Sequence, residues 1–175
     1  MRLFAIRHLP TEANVKGFLQ GKVDYALLKP TAFKQEKILR NIEVLGDIRF
    51  DAVLTSQLLR TQQTAYYHGY QDYRIEPLAN GLNFGQYEGT LKTEFVRKFN
   101  REWYHSVDML PLGESFEGFR ERIFSFFAFY ADCENVLLFG HRAWLRAARA
   151  LIIKSDIDEM NHWSLPHGDM VVLKW

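Results

Sequence analysis

Residues 3–14 read Leu-Phe-Ala-Ile-Arg-His-Leu-Pro-Thr-Glu-Ala-Asn. Leu3 to Ile6 is a short unbroken apolar run, the pattern of a strand covered on both faces. It ends in Arg7-His8 and passes at once into Pro10-Thr11-Glu12-Ala13-Asn14. An Arg-His pair after a strand is, taken alone, more often a solvated turn. Two basic groups closing a buried strand are economical only where an anion sits beside them, because an unpaired buried charge is costly.

The same arrangement recurs twice. Asp51–Thr55 (DAVLT) reads as a second strand, followed by Ser56 and a helix from about Gln57 to Gly69, with Arg60 in its first turn. Asn135–Phe139 (NVLLF) reads as a third, leading to Gly140-His141-Arg142 and a helix through about Ile153. Pro30-Thr31 opens a helix in which Ile38, Ile42 and Leu45 share a face, stopped by Gly46. Tyr73–Glu76 is a short strand, Pro77–Gly89 a loop, Thr90–Trp103 a charged helix and Met170–Leu173 a last strand. From Ser115, the spacing of Phe116, Phe119, Ile123, Phe126 and Tyr130 predicts a helix with an apolar stripe, read as core packing. Strands alternating with helices indicate an α/β fold with a largely parallel, covered sheet. With no repeat, linker or low-complexity tract, residues 1–175 are expected to form a single domain.

Composition removes several classes of function. The chain is 47% hydrophobic and 25% charged, with a net charge of +1, so its overall field does not favour nucleic acid or an anionic membrane. Its one cysteine, Cys133, excludes an intrachain disulfide and a cysteine-based zinc cage. The apolar start is shorter than a signal-peptide core, and no run approaches the roughly 20 residues that span a bilayer. The expectation is a cytoplasmic protein with no membrane or nucleic-acid partner. Any anion-binding activity must come from a local cluster.

Ligands of open α/β sheets bind outside the carboxyl ends of the strands. If the first three major strands are parallel neighbours, His8, His141, Arg7 and Arg60 converge on one crevice, which also receives helix N-termini that favour anions. That set suits a phosphoryl group. Guanidinium forks hold phosphate oxygens in bidentate fashion. A neutral imidazole can attack phosphorus, and a second, protonated one can stabilise the equatorial charge. The scheme requires no metal and no cofactor. Singly, His141 reads as a satisfied core or capping histidine and Arg60 as an exposed helix residue.

The residues go further together. RHLPTEAN resembles the Arg-His-Gly-Glu-Thr-x-x-Asn signature of the histidine phosphatase superfamily, also called phosphoglycerate mutase-like. SQLLRTQQTA resembles its Ser-x-Leu-x-Arg-x-x-Gln-Thr-Ala motif, FGQYEG its Phe-Gly-x-Trp-Glu-Gly segment, and PLGES its Pro-x-Gly-Glu-Ser segment. LLFGH resembles the strand leading to its second histidine. The matches fall in family order from Leu3 to about Ala150. The resemblance implies a three-layer α/β/α fold with a mostly parallel central sheet. It implies that His8 becomes phosphohistidine, that Arg7, Arg60 and His141 complete the phosphate pocket, and that Asn14 and Thr11 hold phosphate or shape the loop. Glu88, Glu114 and Ser115 would be structural or rim residues.

Two departures stand out. Leu9-Pro10 replaces the usual Gly-Glu or Gly-Gln, which stiffens the loop and removes an N–H donor. Members acting on phosphomonoesters usually carry a glutamate about four residues before the glycine of Phe-Gly, as acid for the departing alkoxide. Here that place is Gly81, or Asn80 if the loop is longer by one. Three readings follow. Another carboxylate (Glu12, Glu88 or Glu114) supplies the proton to a phosphorylated small molecule; or the substrate is a leaving group needing little help, such as phosphohistidine in a protein; or the pocket only binds a phosphoryl ligand. The intact His8, Arg7, Arg60 and His141 set favours an enzyme. Mutases of the family are usually longer, which favours a phosphatase.

Overall fold

The apolar runs do pair into one sheet in the computed structural model, which describes residues 1–175. Its strands are β1 (Arg2–Arg7), β2 (Ala52–Thr55), β3 (Arg74–Ile75), β4 (Asn135–Gly140) and β5 (Met170–Lys174), in the order β3-β2-β4-β1-β5. The first four are mutually parallel and β5 runs antiparallel along β1. The three strands that end in basic or hydroxyl residues are therefore neighbours. Arg7 pairs with Gly140, and Thr55 with Phe139, so all three release their chains at one edge.

Burial follows the two-residue period of a strand. Leu3, Ala5, Val136 and Leu138 join the larger core on one face, whereas Phe4, Ile6, Leu137 and Phe139 join a smaller core on the other. The larger core contains the buried faces of α6 (Phe116–Phe129) and α7 (Arg142–Lys154), the smaller one those of α2 (Ala32–Leu45) and α3 (Leu59–Tyr67). These are the three layers. The aromatic stripe of α6 is core, as read: Phe119, Ile123 and Phe126 are fully buried, and Phe126 meets the Trp144 ring edge-on at 4.9 Å.

Local differences from the expected elements have physical causes. Residues Thr90–Trp103 form two helices, α4 (Lys92–Lys98) and α5 (Asn100–His105), broken at Phe99 (φ −120°, ψ 44°). The break lets Phe95 and Trp103 pack edge to face at 5.8 Å in the same core. On α2 the buried face is Ile38, Asn41 and Leu45, while Ile42 stays partly exposed. Asn41 is taken inward because its Nδ2 donates to the Gly168 carbonyl at 2.9 Å. The segment Pro77–Gly89 is irregular, with short 3₁₀ turns at Pro77–Ala79 and Gly85–Tyr87. Arg122 of α6 pins it by donating to the carbonyls of Leu78, Asn80 and Gly81 while pairing with Glu114. No helix is long and apolar enough to cross a membrane.

Candidate active site

Outside the carboxyl ends of β1, β2 and β4 lies a cavity of about 280 Å³. Arg7, His8, Asn14, Arg60 and His141 all line it. The His8 and His141 rings lie 5.4 Å apart, centroid to centroid. Thr11 does not reach the wall. It is fully buried, its hydroxyl accepts from the Asn14 amide at 3.2 Å, and the Asn14 side-chain oxygen accepts from the Thr11 amide at 3.2 Å. This reciprocal cap holds the short helix α1 (Glu12–Val15) and so presents Asn14 to the cavity.

His8 is fixed by its own loop. Its amide donates to the Gly140 carbonyl at 2.9 Å, and its Nδ1 lies 2.8 Å from the Leu9 carbonyl. A carbonyl only accepts, so Nδ1 carries the proton and Nε2 keeps its lone pair, with no protein partner. Leu9-Pro10 thus preserves the orienting acceptor. The Leu9 amide is spent on the Thr64 hydroxyl at 3.0 Å, and the Leu9 side chain is fully buried, so the loop is held by packing where glycine is usual.

The cations are held by carbonyls. Arg60 donates to the carbonyls of Val23 at 2.9 Å and Gly21 at 2.7 Å, with the Asp24 carboxylate 3.9 Å away. Arg7 donates through Nη1 to the Leu165 carbonyl and approaches the Nε2 of His167 at 2.6 Å through Nη2. His141 Nε2 lies 2.7 Å from the Ser56 hydroxyl. Six buried side-chain polar atoms lack a partner, and four belong to cavity residues: Nε of Arg7, Arg60 and Arg146, and Nδ1 of His141. Unsatisfied buried polar groups are uncommon, and their concentration in cavity residues marks this as the most polar-strained part of the protein.

Electrostatics agree. Burial first, and then Arg60, His141, Arg7 and His167, push His8 well below the usual histidine range. Burial, Arg60, Arg122 and Arg7 do the same to His141. Both rings are therefore neutral near pH 7, which suits His8 as a nucleophile. Protonation of His141 would need a nearby negative charge to offset those cations. Burial and then Arg142 and Arg146 disfavour the charge on Arg7. The Asp169 carboxylate offsets part of this, and because a guanidinium does not give up its proton at working pH, a bound anion would offset more.

The leaving-group question resolves geometrically. Gly81 lies on the cavity wall, where a Cβ would come 3.3 Å from His141 Cγ. Asn80 faces away, bonded to the Gln57 amide and side chain at 3.0 and 2.6 Å. The vacancy therefore belongs to Gly81. None of the three candidate substitutes reaches the cavity. Glu12 is exposed and pairs with Lys16; Glu88 accepts from the amides of Lys22, Val23 and Phe84; Glu114 is held by Arg122 and the Asn83 amide. The wall contains no carboxylate at all.

Four wall residues escaped the sequence reading as site residues: Lys92, Arg142, Arg146 and His167. His141-Arg142 and then Arg146 one turn on was a legible signal, because positions four apart share a helix face. Lys92 and His167 offered none. His167 is local in space only: its Nδ1 donates to the His8 carbonyl at 2.9 Å and its ring lies 5.2 Å from that of His8.

A parallel-sheet crevice walled by three neutral histidines and several arginines is suited to holding a phosphoryl group. The comparisons agree with that class. The sequence profile of the histidine phosphatase superfamily (branch 1) matches residues 3–175. The chain belongs to that family. It is 29% identical over 181 residues to the adenosylcobalamin/alpha-ribazole phosphatase of Escherichia coli K12, covering 96% of this chain and 87% of the relative. It is also 29% identical over 178 residues to a putative phosphoserine phosphatase 2 of Hydrogenobacter thermophilus, covering 94% and 83%. Among solved structures, the alpha-ribazole phosphatase of Shigella flexneri superposes with a TM-score of 0.79 at 28% identity, covering 99% of this chain and 90% of that one.

Proposed function

We propose that the chain hydrolyses a phosphomonoester of a small molecule through a phosphohistidine on His8. The observation that carries this reading is the His8 imidazole itself: proton fixed on Nδ1 by the Leu9 carbonyl, Nε2 unpartnered, and Arg7, Arg60 and His141 around it. In this reading the Nε2 lone pair attacks phosphorus and the bond to the leaving oxygen breaks. Arg7 and Arg60 hold the equatorial oxygens, with Asn14 at the rim; His141 takes up a proton from solvent as the phosphoryl dianion binds, donates a hydrogen bond to an equatorial oxygen, and returns that proton to solvent when phosphate leaves. Water then attacks the phosphohistidine, inorganic phosphate departs, and Nε2 regains its lone pair. The chemistry of this donor set asks for no metal ion.

With glycine at position 81 and no carboxylate on the wall, the leaving group departs with its proton drawn from solvent. Activated or stabilised leaving groups are therefore favoured over simple alkoxides. The same observation favours one second reading, a phosphohistidine of a protein as substrate, because its leaving group is a nitrogen base that departs without a carboxylic acid.

The test is hydrolysis of an aryl phosphate in the presence of a chelator, with acid-labile phosphoenzyme trapped by rapid quench. His8→Ala should lower turnover by about 10³-fold or more and abolish the trapped species. Substantial residual turnover would sink the nucleophile assignment. Phosphate binding without turnover of any aryl, alkyl or protein-histidine phosphate would leave a binding module in its place.

A further inference from the structure

The cavity contains more positive charge than one phosphoryl group can use. Arg7, Arg60, Lys92, Arg142 and Arg146 all line it, and no aspartate or glutamate does. A phosphomonoester brings a charge of about −1.5 to −2 near neutral pH. Arg7 and Arg60 flank His8 and account for it. Lys92, Arg142 and Arg146 remain, and none of them makes an ion pair or a side-chain hydrogen bond anywhere in the protein; both arginines disfavour the charge on Arg7, and Arg142 that on Arg146.

These three form one group. Arg142 and Arg146 are one turn apart on α7, directly after His141, so they share a face of that helix. Lys92 opens α4 across the cavity, with its ammonium 5.3 Å above the Trp103 ring. Arg146 is only 7% exposed, and its Nε is buried without an acceptor. Lys92 and Arg142 are half-buried beside it, and leaving such a group of cations without an anion is costly. Resting on the phosphatase reading, we propose that Lys92, Arg142 and Arg146 form a second anion subsite, so that the substrate carries a further anionic group (carboxylate or second phosphoryl) beyond the phosphate that is hydrolysed. The strain is visible on Lys92, which burial first and then Arg142, Arg146 and Arg7 push down to about 8. An anion between these groups would relieve it.

The rest of the cavity bounds the substrate. Its volume, about 280 Å³, admits a compact ligand, and Phe18, Phe84, Trp103 and Phe116 give it an apolar side. The subsite therefore selects a small phosphorylated acid or a bisphosphate with a short apolar body.

The experiment compares matched aryl phosphates whose leaving group bears a carboxylate, the isosteric carboxamide, or a second phosphate. In the wild type, the carboxylate or the second phosphate should raise kcat/KM about tenfold or more over the carboxamide, mainly through KM, and the gain should shrink with salt. Which of the two gains more identifies the anion. The ratio should collapse towards one in Lys92→Met/Arg142→Gln and return in Lys92→Arg. Equal kcat/KM for charged and neutral compounds in the wild type overturns the proposal, with no variant needed, even while hydrolysis itself upholds the phosphatase reading. A preference that survives in the folded double variant overturns it as well. If the wild type turns over none of the compounds, the phosphatase reading has failed. Calorimetric affinities for the same compounds then decide: equal affinities reject the second anion subsite, and tighter binding of the charged ones upholds it.

Discussion

Gly81 shows how much one missing side chain can decide. It faces His141 on the cavity wall, and its backbone is held from behind by Arg122, which donates to the Gly81 carbonyl at 3.1 Å. A Cβ there would meet His141 Cγ at 3.3 Å, a tight contact that needs the ring to give by a few tenths of an ångström. Backbone strain does not add to this, because the φ of Gly81 is not positive. Gly81→Glu should therefore be tolerated and bring a carboxyl group to the pocket. Its expected effect is a selective gain. The ratio of alkyl to aryl phosphate turnover should rise about tenfold or more, since protonation matters most for poor leaving groups. An unchanged ratio in the folded variant would mean that the leaving oxygen does not lie on the Gly81 side.

Among the elements, β5 does the least obvious thing. Because it runs antiparallel to β1, its start, not its end, lies at the carboxyl edge of the parallel strands. The loop before it is stitched to β1: the Gly168 amide donates to the Arg7 carbonyl and the Arg7 amide to the Asp169 carbonyl, both at 3.0 Å. Gly168 adopts φ +77°, a conformation that glycine takes without strain, and this turns the chain so that His167 reaches both His8 and Arg7. Burial and Arg7 push His167 down to about 3, so its ring is neutral and its Nε2 accepts from Arg7. His167 is thus a positioning residue that aims the guanidinium. His167→Ala should weaken phosphate binding by about tenfold, as expected for loss of one hydrogen bond to a charged group. The loss should appear in KM and in the inhibition constant of inorganic phosphate. His167→Gln, whose amide oxygen can still accept, should recover part of it. A variant that loses only thermal stability, with KM unchanged, would reduce His167 to a packing residue.

For the molecule as a whole, the concentration of buried neutral histidines sets a pH dependence. His8, His68, His141 and His167 are all pushed below the ordinary histidine value, in each case by burial first. As pH falls below about 6.5, the unfolded chain takes up protons that the folded one refuses. Stability is therefore lost on acidification, by up to about 1.4 kcal/mol per pH unit for each group. Between pH 7 and 5 the melting temperature should fall, and saturating inorganic phosphate should blunt the fall by favouring protonated rings. A melting temperature that is flat over this range would contradict the burial of the four rings as neutral groups.

What was legible in the sequence was whatever depends on local order. The apolar run of Leu3–Ile6 ending in Arg7-His8, and the run of Asn135–Phe139 ending before His141, are strand and site at once, since the chemistry sits where the strand stops. The α/β class followed from that pattern; the three-layer fold was what the family resemblance implied, and the gathering of Arg7, His8, Arg60 and His141 depended on the strands being parallel neighbours, as they are. The motifs also marked the missing acid, though not whether Gly81 or Asn80 stood in its place. Only the tertiary structure decided that point, because it depends on which of two neighbours a loop turns towards His141 and which towards Gln57. It also decided that Thr11 caps the loop and Asn14 faces the cavity. His167 and Lys92 joined the site through an antiparallel strand and a broken helix, 159 and 84 residues after His8 in a chain where spacing carries no trace of either approach. Periodicity records which face of an element is apolar. It does not record the direction in which a last strand is laid down, or how many charges a cavity collects from separate elements.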